Sequence, residues 1–164
     1  MRAAGLAGVW AEANTREHIY DAFRRRETFA TSGPRIALRF FAGTAFDEAL
    51  LSDREAVATA YRLGVSMGGK LRLEKDDRPA FFLWAQADPD SYPLQRMQVV
   101  KGWLTDKGEV EERVFDVACA GGVAVDTQSH RCPDNGASVD IETCETSATT
   151  AAAELKTLWH DPDY

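Results

Sequence analysis

Three histidines, His18, His130 and His160, stand far apart in the sequence, and none lies two or four residues from another. Metal-assisted hydrolysis needs several His and carboxylate ligands that converge around an open position, and no local pair of that kind is present. The stretch DTQSH, residues 126–130, brings Asp126, Ser129 and His130 close along the chain. A nucleophile with its base and orienting carboxylate can be drawn there, but it would need a held hydroxyl and an oxyanion site, and the sequence indicates neither. GVSMGGKL, residues 64–71, is glycine-rich and carries Lys70. It departs from the phosphate-loop order because Leu71 follows the lysine, and because a helix precedes it where a strand is required, so a structural loop is expected. Two Asp-Pro-Asp tripeptides, at residues 88–90 and 161–163, suggest halves of a calcium site. Asp-Pro after a strand is also an ordinary turn former, and that is the expectation taken. Trp10, Trp84, Trp103 and Trp159 fall mostly in extended segments, where burial in a core accounts for them better than a stacking platform does. Trp103, beside a hairpin turn, is the one whose exposure is worth testing.

Charge narrows the classes of partner. The 164 residues hold 26 Asp and Glu against 19 Lys and Arg, a formal charge of -7, which weakens attraction for nucleic acid and anionic membrane. The one dense basic run, Arg24, Arg25 and Arg26, ends a predicted helix, where positive charge complements the backbone dipole. No run of eighteen apolar residues is present, so no membrane-spanning helix is expected. The opening MRAAGLAGVW is followed by Glu12 and Asn14 in place of a cleavage motif, and is not read as a signal peptide. Three cysteines are too few for a disulfide scaffold. Cys132 and Cys144 flank a polar, turn-rich stretch and form the candidate bridge in an oxidising compartment, while Cys119 reads as a small buried residue at a strand end. No CxxC or His-containing spacing suggests structural zinc.

The elements follow from periodicity. Asn14 and Glu17 have capping-box spacing, so a helix is expected from Thr15, with Ile19, Ala22 and Phe23 on its apolar stripe. That stripe needs something to lie against. Residues 32–34, Ser-Gly-Pro, turn the chain into a strand over residues 35–43, and residues 53–62 suit a second, short helix. Residues 79–87 read as a central strand, residues 94–103 and 109–120 as a hairpin around Asp106, Lys107 and Gly108, and residues 154–160 as a last strand. Val139 and Ile141 alternate with acidic residues in a further short strand, and residues 146–153 read as a flexible or edge-proximal segment. Six strands with two helices predict a mainly β fold, an antiparallel β-sandwich or open barrel with an N-terminal helix and a short inserted helix.

Several long stretches carry a resemblance: GVWAEANTREHIYDAFRRRETFATSGPRIALRFFAG, GVSMGG, FFLWAQADPD, RMQVVKGWLTDKGEVEERVFDVACAGG and AAELKTLWHDPDY. Together they resemble the C-terminal region of a large bacterial family, the domain of unknown function 3604. The resemblance implies a longer protein, often secreted, whose N-terminal part is similar to metal-dependent phosphoesterases of the polymerase-and-histidinol-phosphatase type. Residues 1–33 would then be the last helix and exit of that barrel, and residues 34–164 a β-rich C-terminal domain that continues beyond the segment given. The metal ligands would precede Met1, so neither a catalytic residue nor a metal ligand is assigned here. A divalent metal is expected only in the longer protein. Glu12, Asn14, Thr15 and Arg16 match one characteristic stretch, and Thr31, Ser32, Gly33, Pro34 and Arg35 a second. Arg16, Arg35, Thr31 and Ser32 are therefore the candidates for anion or pocket contact, with capping, turn and ion-pair roles as the alternative. The implied function is an accessory β domain of a larger hydrolase, with the N-terminal domain of the same protein as partner, a periplasmic or secreted location, and a homo-oligomer left open. The other reading is a carbohydrate-binding or protein-interaction β-sandwich without catalytic activity.

Overall fold

A computed structural model describes residues 5–145, 147 and 151–164. In chain order the elements are β1 (Leu6–Val9), α1 (Arg16–Arg25), β2 (Thr28–Thr31), β3 (Ala37–Gly43), a 3-10 turn (Glu48–Leu51), α2 (Ala56–Leu63), β4 (Val65–Ser66), β5 (Ala80–Gln86), β6 (Arg96–Leu104), β7 (Val110–Cys119) and β8 (Glu154–His160). The fold is mainly β, with antiparallel pairing and no closed barrel among the described residues. The chain divides into two compact units, one running to Tyr92 and including Lys156–Tyr164, the other Pro93–Leu155.

In the first unit, β1 and β2 form a ribbon, and a four-stranded sheet has the order β4-β3-β5-β8. The near-continuous apolar run of β5 fits its central place, since both its faces are covered. One face of the β3–β5 pair carries Phe41 opposite Phe82, and both are buried with Phe46, Leu50, Ala56 and Ala60 from the 3-10 turn and α2. Alternation then puts Phe40 and Phe81 on the other face, 5.8 Å apart, with Trp159 stacked 5.4 Å beyond Phe81.

The cap of α1 shifts by one residue from the sequence expectation. Thr15, in extended conformation, accepts a bond from the His18 backbone N–H, and its hydroxyl lies 2.7 Å from His18 Nδ1, so Thr15 and His18 take the places expected of Asn14 and Glu17. Threonine one position closer to the helix offers the same capping oxygen, so the capping signal is real and its register is not. At the other end Arg26 adopts a left-handed conformation and its N–H bonds back to the Ala22 and Phe23 carbonyls. The glycine-rich loop after α2 meets this corner. Gly68 has φ 78° and lies against the Arg26 backbone, where a Cβ would collide.

In the second unit β6 and β7 make a long hairpin, turned at Thr105–Glu109 with Gly108 at φ 78°. A bulge between Met97 and Gln98 sets two residues of β7 against one step of β6. Trp103 is half-buried, with the Lys101 ammonium 5.2 Å from its ring. Leu94, Met97, Phe115, Val117, Cys119 and Leu155 are buried. The strand expected at Val139 and Ile141 is not formed. Asp140 instead accepts bonds from the Glu142 and Thr143 N–H groups, a local turn, and Ile141 is 90% exposed. An aspartate that can satisfy its own following backbone competes with a ladder, and among the described residues Val139 carries an isolated bridge in place of a strand. Half of the segment expected to be flexible or edge-proximal, residues 146–153, lies outside the described residues; of the other half, Ala152 bridges Leu94.

Candidate functional site

The sheet's inner face is only partly covered by α2. Beyond the Phe41–Phe82 pair the next cross-strand pairs are Arg39 with Trp84 and Ala37 with Gln86, all on the same face by the period of two. There the core gives way to a cleft of about 280 Å³ lined by Trp10, Ala37, Arg39, Val57, Trp84 and Gln86. A second cleft, of about 500 Å³, shares Trp10 and Arg39 and adds Ala11, Glu12, Arg25, Glu27 and Tyr61.

Trp10 divides the two. It follows β1 and is held by two bonds: its backbone N–H donates to the Glu27 carbonyl at 3.0 Å, and its indole Nε1 donates to the Leu38 carbonyl at 2.9 Å. β4 pairs only with Phe41 and Ala42 of β3, so the indole serves the Leu38 carbonyl beside a stretch that β4 does not reach. The Arg39 guanidinium lies 3.7 Å from the centre of the Trp10 ring. Among the described residues Arg39 has no carboxylate at ion-pair distance.

The larger cleft has a different character. Glu27 is 6% exposed; its Oε1 accepts from the Ser66 hydroxyl at 2.6 Å and its Oε2 from Arg25 Nη2 at 3.2 Å. Those bonds satisfy both oxygens of a carboxylate that would otherwise be costly to bury. The Tyr61 phenol is pushed above its ordinary pKa by burial and then by the negative charge of Glu27, with the Arg39 guanidinium pulling the other way. Tyr61 also packs edge-on against Phe41, 4.9 Å between centres, which ties the cleft wall to the core.

The sequence candidates lie elsewhere. Arg16 is the exposed first residue of α1, Ser32 is exposed in a turn, and Thr31 accepts a bond from the Leu6 N–H through its hydroxyl at 3.1 Å. Arg35 is exposed, and its backbone N–H donates to Asp88 Oδ2 at 2.7 Å. None of the four lines either cleft. Of the basic run, Arg25 reaches Glu27, Arg26 caps the helix, and Arg24 lies 6.0 Å from the Tyr20 ring.

The bridge joins Cys119 to Cys132, with Cα atoms 5.7 Å apart, and Cys144 is free and exposed. The pairing expected between Cys132 and Cys144 is thus corrected. Residue 132 is drawn to the end of β7 by Asp116, whose Oδ2 accepts from the Cys132 N–H at 2.7 Å while Oδ1 accepts from Gln98 Nε2 at 2.6 Å. Burial would raise the Asp116 pKa; these bonds, with the charges of Arg96 and Arg131, outweigh it and hold the pKa below the usual value. The Asp126, Ser129 and His130 group is a turn and not a triad. Asp126 Oδ1 accepts from both the backbone N–H and the hydroxyl of Ser129, and the His130 ring packs 5.0 Å from Phe115. Asp88 and Asp161 likewise accept from the N–H two residues on, as Asp-Pro turns do. Among the described residues no three His, Cys, Asp or Glu side chains converge as a metal site.

Comparison with known families assigns the whole chain. Residues 1–164 match the family described as Protein of unknown function (DUF3604). The chain belongs to that family. No curated protein and no solved structure matches it. The DUF3604 description assigns no activity.

Proposed function

We propose that this chain is an accessory β-rich part of a larger hydrolase resembling metal-dependent phosphoesterases, and that α1 docks it against the rest of that protein. One observation carries the reading. α1 is amphipathic, yet of its apolar residues only Ala22 is buried, while Tyr20 is 60% and Phe23 48% exposed. Two exposed aromatics on neighbouring turns of a ten-residue helix are more apolar surface than a lone surface helix requires, and suit a partner face. Arg16 lies one turn before Tyr20 on the same side, giving the patch a cationic rim. Secretion or a periplasmic location belongs to the same proposal. The Cys119–Cys132 bridge supports it, because such bonds persist in oxidising compartments. No helix of the described residues is long and apolar enough to cross a membrane.

The test compares this chain with the longer reading frame that contains it, in a phosphatase panel with metal analysis. The longer protein is expected to hold metal and hydrolyse phosphate esters, and this chain alone to do neither. Phe23→Asp in the longer protein should loosen the docked arrangement, read as faster proteolysis near residues 10–30, with the chain's own fold intact. Hydrolysis retained by the short chain would defeat the proposal.

A further inference from the structure

We propose that the smaller cleft seats a six-membered sugar ring bearing one carboxylate, a hexuronic acid residue. This inference does not depend on the docking of α1.

Four features of the cleft converge on that chemistry. Trp84 supplies an aromatic wall, Trp10 with Arg39 stacked on its ring borders it, and Ala37 and Val57 leave room beside them, so a ring with apolar C–H faces has a surface to lie on. A volume of about 280 Å³ takes one ring and not a polymer. Arg39 is the one charged residue lining this cleft, and its guanidinium lacks a carboxylate partner among the described residues. Stacking at 3.7 Å on Trp10 fixes the guanidinium plane; one edge meets the Tyr61 phenol, and the rest of the fork is left to meet a carboxylate in the two-pronged manner lysine cannot reproduce. Lys156, with its Nζ 4.6 Å from the Trp84 ring, stands outside the lining, so the single lining cation suits a monoanion better than a phosphate dianion. The platform is also set in advance, because the Trp10 indole is anchored to the Leu38 carbonyl.

One polar group remains at the rim for hydroxyls, and another lies buried behind the wall. Trp84 Nε1 is buried with no hydrogen-bond partner among the described residues, an orphan that native proteins seldom leave without a reason. Gln86, exposed at the rim, offers both a donor and an acceptor. An aromatic acid could use the same cation and walls, but would leave Gln86 idle. The acidic character of the whole chain, at -7, favours a singly charged ring over a polyanionic chain.

The test titrates the folded chain with methyl glucuronoside, methyl glucoside, benzoate and inorganic phosphate, following tryptophan fluorescence and the indole N–H resonances. Methyl glucuronoside is expected to bind with Kd of about 1 mM and to shift the Trp10 and Trp84 resonances, with the neutral glucoside about tenfold weaker. Arg39→Gln should weaken the glucuronoside about tenfold and leave the glucoside unchanged; Gln86→Ala should weaken both about threefold. If Arg39→Gln melts early, Arg39→Lys keeps the charge without the fork and should still lose several-fold. Equal affinity for the two glycosides, tighter binding of benzoate or phosphate, unshifted indole signals up to about 50 mM, or a folded Arg39 variant of unchanged affinity would each overturn the assignment.

Discussion

At the level of single residues, Asp116 is the most heavily committed ionisable group. Its side chain is buried and accepts from Gln98 and Cys132, with Arg131 3.5 Å away, so it fixes the start of the loop that the disulfide closes. Because its folded pKa lies below the unfolded value, its contribution to stability is fully present above about pH 4 and is lost as pH falls through the lower, folded pKa. Asp116→Asn keeps the shape but not the charge, and should cost about 2 to 3 kcal/mol at neutral pH. It should also flatten the acid limb of a plot of Tm against pH between about 2 and 5. An acid limb identical to that of the parent would show that the charge contributes nothing. Tyr61 gives a second residue-scale check. Since Glu27 helps hold its phenol up, Glu27→Gln should lower the Tyr61 pKa, measured by ultraviolet titration. The types of these residues were visible in the sequence, but their partners were not: Glu27 meets Ser66 across 39 positions, and Asp116 meets Cys132 across a loop that has no periodicity.

At the level of elements, the long periodic segments were legible and the short ones were not. β5, the β6–β7 hairpin and β8 follow from apolar runs and turn residues that act within a few positions. β1, β2 and β4 have four, four and two residues, too few for alternation to declare itself, and they exist because they find partners. The clefts lay beyond reach for the same reason. Arg39 faces Trp84 only through the β3–β5 register, and Trp10 arrives from a four-residue strand nearly thirty positions away. The family motif around residues 12–16 drew attention to the start of α1; the helix's structurally demanding end is the other one. Arg26 holds a left-handed conformation at φ 63° that glycine would adopt without strain. Arg26→Gly should therefore stabilise the chain by about 1 kcal/mol. Gly68→Ala, forced into the same corner, should destabilise it by at least about 1 kcal/mol, both read by chemical denaturation. Destabilisation by both would mean that the Arg26 side chain, and not the backbone geometry, holds the corner.

At the level of the whole molecule, each unit has its own buried set. Phe41, Phe46, Leu50 and Phe82 serve the first, and Leu94, Met97, Phe115 and Val117 the second. The disulfide lies wholly within the second, which otherwise relies on a two-stranded ribbon, an architecture that is marginal without further support. Closing a loop with a sequence separation of 13 is worth about 3 kcal/mol, a large share of what such a small unit can hold. Reduction should then accelerate hydrogen exchange through residues 93–155 and leave the amides of β3 and β5 protected, because opening follows cooperative units. The same reagent on Cys144→Ser should give the same result, since that thiol is exposed and outside the bridge. Uniform loss of protection across both units on reduction would show that the chain unfolds as one cooperative body and that the bridge supports the first core as well as the second.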